Sequence, residues 1–415
     1  MTPDRITSLV AVREALNKAI SEHTSLFISL IDNGKNRAYG CKPASRLVFG
    51  LDESDFPGLG KRLSPFEANK LPSLERLQKL LIDDLQIARQ SYVHNGDNVV
   101  GSAGDGSQPD EQDEELKLLN SLTDAHRETS GAVLTFPSPS LDDICGDSKF
   151  EYNDVLREST TMATTLPRNT LLSLQHSNEG TTFTTLLSGA AAWIIWPPTK
   201  HNLNVLQSSY EAFAEGFDGT KMNVSSQLES GVCLVQNAGE AIRIPPFCPM
   251  TCLSLETSIL ATYSIVTARQ LADMLRKLPF LLAWFKTEIG GEYKKKDFVI
   301  ALLPHLSAIL QGSFESAELK KHKYPYPEDG PLHSLLHSWD EIKHTVASIL
   351  NPAETERMIA MWEEFLRKAR GRECWICGKT VSNKLRDMRK HVEAKHWPIA
   401  KTAGVLTQQS APEQT

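Results

Sequence analysis

The chain is predicted to be an α+β protein, with a central antiparallel sandwich or barrel between two helical regions and a small Cys/His module at the C-terminus. Apolar residues recur at three- and four-residue steps before residue 93 and again after Ala268. Between about Ala132 and Ala268 they fall instead in short apolar or Thr-rich runs bounded by Gly, Pro, Asn and Ser. Near the end, two Cys and two His come together in one basic stretch.

Residues 1–93 read as mainly helical, most clearly in "SLERLQKLLIDDLQIARQ", where Leu74, Leu77, Leu81 and Leu85 share a face behind a Ser73 cap. Residues 94–115, "HNGDNVVGSAGDGSQPDEQDEE", offer almost nothing to bury and read as an acidic disordered linker. Residues 116–268 hold the strand candidates "GAVLTF", "TTFTTLLSG", "AAWIIWPP", "GVCLVQNAG", "AIRIPP" and "TCLSLETSILATYSIVTA". Residues 269–366 return to a helical period in "RQLADMLRKLPFLLAWFKTEI", "KDFVIALLPHLSAILQG" and "PLHSLLHSWDEIKHTVASIL". The Cys/His module takes 367–400, and 401–415 is a polar tail expected to be disordered. No internal repeat at a period of about 20–50 residues is present.

The 415 residues, 40% hydrophobic and 23% charged, suit two or three modules with a sizeable core. Charges at Asp4, Arg5, Arg13 and Glu14 argue against a signal peptide, and no apolar run reaches the length of a membrane span. An intracellular protein with no membrane partner is expected. Seven cysteines, scattered except for one Cys374-x2-Cys377 pair, favour a reduced compartment over a disulfide framework. From Arg367 to Lys401 eleven Lys or Arg face three acids, a balance of +8, which leaves −15 on the rest of a chain whose net charge is −7. A basic end on an acidic body points to a polyanion partner for that end alone.

The spacing Cys374-x2-Cys377-x13-His391-x4-His396 supplies the four N and S donors that tetrahedral Zn(II) takes: two from a tight knuckle, two from one helix face. Val381 and Met388 are candidates for the small core of such a unit. The stretch resembles the C2H2 family of zinc fingers, which implies a structural zinc ion and nucleic-acid contact, with Lys384, Arg386, Arg389 and Lys390 available for DNA or RNA phosphates. A lone finger buries little surface, so protein–protein contact stands as the rival reading.

The central run contains His176-Ser177-Asn178, then Gly189-Ala190-Ala191-Ala192-Trp193-Ile194-Ile195-Trp196-Pro197-Pro198-Thr199-Lys200-His201-Asn202-Leu203, and later Pro245-Pro246-Phe247-Cys248-Pro249-Met250. On these residues it resembles the Jumonji C domain, closest to the histone lysine demethylase branch, with "WPPTKHNL" the most specific piece. The resemblance covers roughly a quarter of the chain. It implies a double-stranded β-helix of the cupin kind, flanked by helices, in which two His and a carboxylate hold Fe(II) and a Lys binds 2-oxoglutarate. Carried across, His176 matches the first His. The carboxylate falls on Asn178, the second His on Met250, and the Lys on Ala191. Glu179 is the candidate substitute carboxylate if the strand bulges.

Three losses in separated segments argue against catalysis, so neither Fe(II) nor 2-oxoglutarate is expected. The expected function is that of a nuclear, chromatin or nucleic-acid-associated binding protein in which the barrel holds a histone or other peptide. The alternatives are a divergent Fe(II)/2-oxoglutarate oxygenase or demethylase using His176 and Glu179, and a protein-interaction scaffold. Trp193, Trp196, Phe183, Cys233, Cys248 and Cys252 read as core, and Pro197-Pro198 and Pro245-Pro246 as strand-end breakers. His333, His337 and His344 read as one solvated helix face.

Overall fold

The computed structural model describes residues 133–145, 152–216, 224–288, 291–315, 330–369, 373–382 and 384–397, with shorter pieces at 45–48, 56, 58–62, 71–87, 92–95 and 98–101. The rest of the region before residue 93, most of the acidic segment and the tail after residue 400 lie outside the described residues. The chain divides into two units. One comprises 1–151 with 157–265, the other 152–156 with 266–415.

The first unit is built from two sheets. Its strands are β1 (Ser45–Val48), β2 (Gly60–Arg62), β3 (Tyr92–Asn95), β4 (Asn98–Gly101), β5 (Val133–Pro137), β7 (Met162–Leu166), β8 (Leu171–His176), β9 (Thr181–Ser188), β10 (Ala190–Ile195), β11 (Gly231–Asn237), β12 (Ala241–Ile244), β13 (Pro249–Ser254) and β14 (Ser258–Thr267), while β6 (Val155–Glu158) lies where the chain passes between units. The smaller sheet has the order β1-β11-β10-β13-β8 and the larger β2-β12-β9-β14-β7-β5-β3-β4. Within the two strand orders, pairing is antiparallel except between β1 and β11, which run parallel. From β7 to β14 the chain alternates between the sheets, apart from β10 and β11, which pair side by side in the smaller sheet across a long helical connection, so the unit is a jelly-roll-like sandwich.

Three apolar layers follow from side-chain alternation. Ala191, Trp193 and Ile195 of β10 face inward with Val232, Leu234, Cys252, Ile242, Leu186 and Leu260, and these fill the space between the sheets. Ala190, Ala192 and Ile194 face outward, packing with Trp196, Cys233, Leu253 and Val205. The outer face of the larger sheet, including Leu134, Ala163 and Ile259, is covered by Leu77, Leu81 and Leu85 of α1 (Leu74–Ile87) and by Leu141 and Cys145 of α2 (Pro139–Cys145). Leu74, expected on that face, is 45% exposed, because it stands at the first turn, before the helix reaches the sheet. Being buried on both faces, β10 is apolar at every position, which is why it reads as a continuous run instead of an alternation.

Sequence reasoning missed α3 (Lys200–Ala214), although its signals are present: Thr199 caps Asn202 N at 3.2 Å, and Leu203, Leu206 and Tyr210 are buried at helical spacing. It also missed β7 and β8, whose Thr and polar residues dilute the apolar signal, and the β3–β4 pair within the junction read as linker.

The segment "WPPTKHNL" is a latch. Asn202, fully buried, donates both Nδ2 protons, to Pro197 O at 2.9 Å and Glu229 O at 3.0 Å, and accepts from Glu229 N at 2.9 Å. One amide thus ties the exit of β10, the start of α3 and the approach to β11. Asn202→Ala is expected to lower the stability of this unit by about 2–3 kcal/mol, since three main-chain groups lose their partner. Asn202→Asp, which keeps the shape but faces two carbonyls with a carboxylate, should cost at least as much. Denaturant unfolding reads both, and a loss below about 0.5 kcal/mol would mean the latch is dispensable.

The second unit is helical: α4 (Leu271–Arg276), α5 (Leu278–Phe285), α6 (Gly291–Leu310), α7 (Pro331–Ile349), α8 (Pro352–Lys368) and α9 (Leu385–Lys395). Helix α8, inside the stretch 269–366 read as helical although not singled out there, starts with a full capping box between Asn351 and Glu354 and buries Met358, Trp362, Phe365 and Leu366. No helix of the described residues is long and apolar enough to cross a membrane.

Candidate functional site

The positions matched to iron chemistry occupy the end of β8 and the neighbouring β13. His176 pairs across the ladder with Pro249, and Met250 with Gln175. His176 is buried. Its Nδ1 lies 2.9 Å from Tyr210 Oη of α3, and its ring stacks on Phe247 with centroids 6.3 Å apart. Burial pushes its pKa down from 6.5 to about 3, so the imidazole is neutral at ordinary pH.

Phe247 sits at φ +62°, a strained conformation for an aromatic residue. A short network holds it there. Phe247 N donates to Asn178 O at 3.2 Å, Ser177 N to Cys248 O at 2.8 Å, Cys248 N to Ser177 Oγ at 2.9 Å, and Ser177 Oγ to Pro245 O at 2.7 Å. Asn178 is exposed. Glu179 forms an ion pair with Arg157 at 3.3 Å. Met250 packs against the inter-sheet core, and Ala191, fully buried, is part of it. Among the described residues His176 belongs to no group of three or more converging His, Cys, Asp or Glu donors.

Such a group exists in the second unit. Cys374, Cys377, His391 and His396 bring one donor atom each within 4.8 Å of one another. A tight turn presents the thiols: Gly378, at φ +68°, donates to Cys374 O at 2.8 Å, while Cys374 N donates to Lys379 O at 2.9 Å. Helix α9 presents the imidazoles. Cys374 Sγ to His396 Nε2 is 3.5 Å, Cys377 Sγ to His391 Nε2 is 3.4 Å, and the two Nε2 atoms are 3.3 Å apart. A tetrahedron with zinc bond lengths has S–N edges of about 3.6 Å and N–N edges of about 3.3 Å, so the donor set fits a metal ion such as zinc. Burial raises the Cys374 thiol pKa, a cost that a bound cation offsets by favouring the thiolate.

The cluster rests on the helices behind it. Ile376, Met388, Val392 and Trp397 are buried, and Val381 is half-buried. Trp362 of α8 packs against Trp339 of α7 at 4.6 Å and Trp397 at 6.2 Å, and Phe365 meets Trp375 edge-on at 5.4 Å. His396 Nδ1 faces the Asp340 carboxylate at 2.8 and 3.0 Å. Burial works to raise the Asp340 carboxyl, but hydrogen bonds from Lys343 and His396 outweigh it, and its pKa lies below the ordinary value. Asp340, Lys343 and Trp339 were not found from sequence. The available signal was a lysine on the buried stripe of α7, beside Trp339, Ile342 and Val346.

Of the basic residues, Lys384, Arg386 and Lys390 are exposed, with Arg386 3.6 Å from Asp387. Arg389 is ion-paired with Glu393 at 3.0 Å and with Glu363 of α8. His337 and His344 are exposed as expected, while His333 is half-buried with its ring 4.1 Å from that of His337.

Fold and cluster together define the class: an α+β protein with a jelly-roll-like sandwich and a helical unit bearing a Cys2His2 donor set. No protein-family model matches the chain, and neither does any curated protein sequence. Among solved structures, the X-ray structure of E. coli ycfD is similar over 77% of this chain and 68% of that one, at 13% identity and a TM-score of 0.34.

His176 gives the sandwich a defined acid limit. Its folded pKa of about 3 lies below the unfolded value of 6.5, so the unfolded state binds more protons between them. The contribution is therefore complete above the unfolded pKa and drains as pH falls toward the folded one. Wild type should lose about 2–3 kcal/mol more than His176→Gln between pH 7 and pH 4.5, compared by denaturant unfolding. Equal losses would show that the buried imidazole is not the titrating group.

Proposed function

We propose that the sandwich is a double-stranded β-helix of the Jumonji C kind without iron chemistry, and that the chain acts by binding, with the Cys/His cluster as a structural zinc centre. The carrying observation is the apolar filling between the sheets where the resemblance calls for charge. Ala191 replaces the lysine that would meet a dicarboxylate, and Met250 presents a soft thioether to the core. His176 alone is left, committed to Tyr210 and Phe247. Strand alternation between the sheets supports the fold assignment. The partner classes that fit are chromatin or nucleic acid, through the exposed Lys384, Arg386 and Lys390, with a histone or other peptide on the sandwich and the nucleus as location.

A second reading has its own support. Arg389 is already neutralised by two carboxylates, and the face of the module that carries Trp375 and Trp397 is spent on α8, which suits a protein-interaction scaffold as well as a nucleic-acid reader.

Elemental analysis separates the metal outcomes. The full chain should carry about one zinc and no iron, and Cys374→Ser/Cys377→Ser should carry neither; iron that persists in that variant would restore the oxygenase reading. Duplex DNA binding followed by fluorescence anisotropy across salt concentrations separates the partners. Lys384→Ala/Lys390→Ala should lower the slope of log K against log salt by about two, one per phosphate contact. Binding that ignores salt and both lysines favours the scaffold.

A further inference from the structure

Helix α7 reaches the Cys/His cluster at three points, all from one and a half turns of helix. Asp340 holds His396 Nδ1 with both carboxylate oxygens, at 2.8 and 3.0 Å. Lys343, buried although charged, donates to Asp340 Oδ1 at 2.7 Å and to Lys395 O at 2.9 Å. Trp339 Nε1 donates to His396 O at 3.3 Å. Two carbonyls at the C-terminal end of α9, which have no partner within their own helix, are thus satisfied from α7, and a cation stands at the negative end of the helix dipole.

We infer that Asp340 is the positioning residue of the metal centre, and that the Cys2His2 cluster is an integral clasp of the helical unit, not a self-contained finger. This rests on the reading that the cluster holds zinc. The chemistry is direct. A proton on His396 Nδ1, donated to Asp340, leaves the Nε2 lone pair free, and Nε2 is the atom that faces Cys374 Sγ and His391 Nε2. The carboxylate fixes both tautomer and ring orientation and makes the imidazole a stronger donor. Lys343 in turn fixes the carboxylate. Because the ligand is oriented from α7, ion binding also draws α7 and α9 together, so its free energy contributes to the stability of the whole unit.

The test uses the full chain as wild type, Asp340→Asn and Asp340→Ala. Zinc affinity is measured by chelator competition, cobalt(II) spectra by absorption, and the unfolding midpoint with and without zinc. Asp340→Ala should bind zinc about 10–100-fold more weakly. Asp340→Asn, which keeps an acceptor but no charge, should fall between Ala and wild type. The cobalt ligand-field bands should broaden in the same order, and the zinc-dependent rise in midpoint should shrink. Should Asp340→Ala fail to fold, Lys343→Met replaces it, with a several-fold affinity loss and an altered cobalt spectrum expected. Wild-type affinity and spectrum in the variants would overturn the inference while leaving zinc binding intact. A wild type that binds no zinc would overturn both.

Discussion

Strands β10, β11 and β13 are buried on both faces, between the inter-sheet core and the layer under α3, and this double burial dictates what the sandwich can hold. Main-chain polar groups are satisfied in the plane of the sheet, so side chains must be apolar or bring partners. The exceptions bring partners. Gln236 accepts from Trp193 Nε1 at 2.9 Å and donates to Thr184 O and Glu240 O, and Ser254 Oγ bonds Pro167 O and Thr170 N. A lysine at position 191 would have to bury an ammonium where the structure places a methyl group among Trp193, Leu234 and Cys252, and without an anion to pair with it the desolvation cost is prohibitive.

The same tightness explains the crossing at Gly189. A Cβ there would lie 2.3 Å from Thr257 O, and the residue adopts φ +81°, so the β9–β10 corner admits no side chain. At the opposite end of β10, strain is accepted instead of avoided. Phe247 holds a left-handed conformation because Ser177 and Asn178 supply hydrogen bonds on both sides, and the outcome is an aromatic ring laid over His176. A metal-binding histidine needs one nitrogen open to an ion with other ligands converging on it. His176 has one nitrogen on Tyr210, a phenyl ring over its face, and its nearest acidic neighbour in sequence, Glu179, engaged by Arg157.

What could be read from the sequence was chemistry with a short range. The apolar strands and the helical periods after Ala268 depend on residues within one or two turns of each other, and the Cys/His spacing on two such local pairs, Cys374 with Cys377 and His391 with His396; each reappears in the structure. Strand β7 escaped because it presents Thr on a face whose burial depends on distant partners, such as the Thr135–Thr164 hydroxyl pair, and β8 because exposed Ser173 and Gln175 interrupt its leucines. Glu179 looked free to replace a missing ligand because nothing local reveals Arg157, twenty-two positions away, as its counterion. The Trp339–Trp362–Trp397 stack joins three segments with no common pattern.

The helical unit shows how far such long-range terms alter a familiar spacing. Cys374, Cys377, His391 and His396 alone suggest a module that could hang from a linker and read a groove with its helix. In the structure Arg389 of that helix is held by Glu363, Trp375 by Phe365, and the last ligand by a carboxylate fifty-six positions earlier. Surface ion pairs such as Arg389–Glu363 are worth about 0–1 kcal/mol, too little to fix an orientation. The buried indoles provide what the surface cannot, together with His396 and Lys343, both buried against the half-exposed Asp340 carboxylate, since the buried groups are satisfied only in this arrangement. Helix α9 is therefore already fixed by the rest of the helical unit, with Lys384, Arg386 and Lys390 exposed and Arg389 committed.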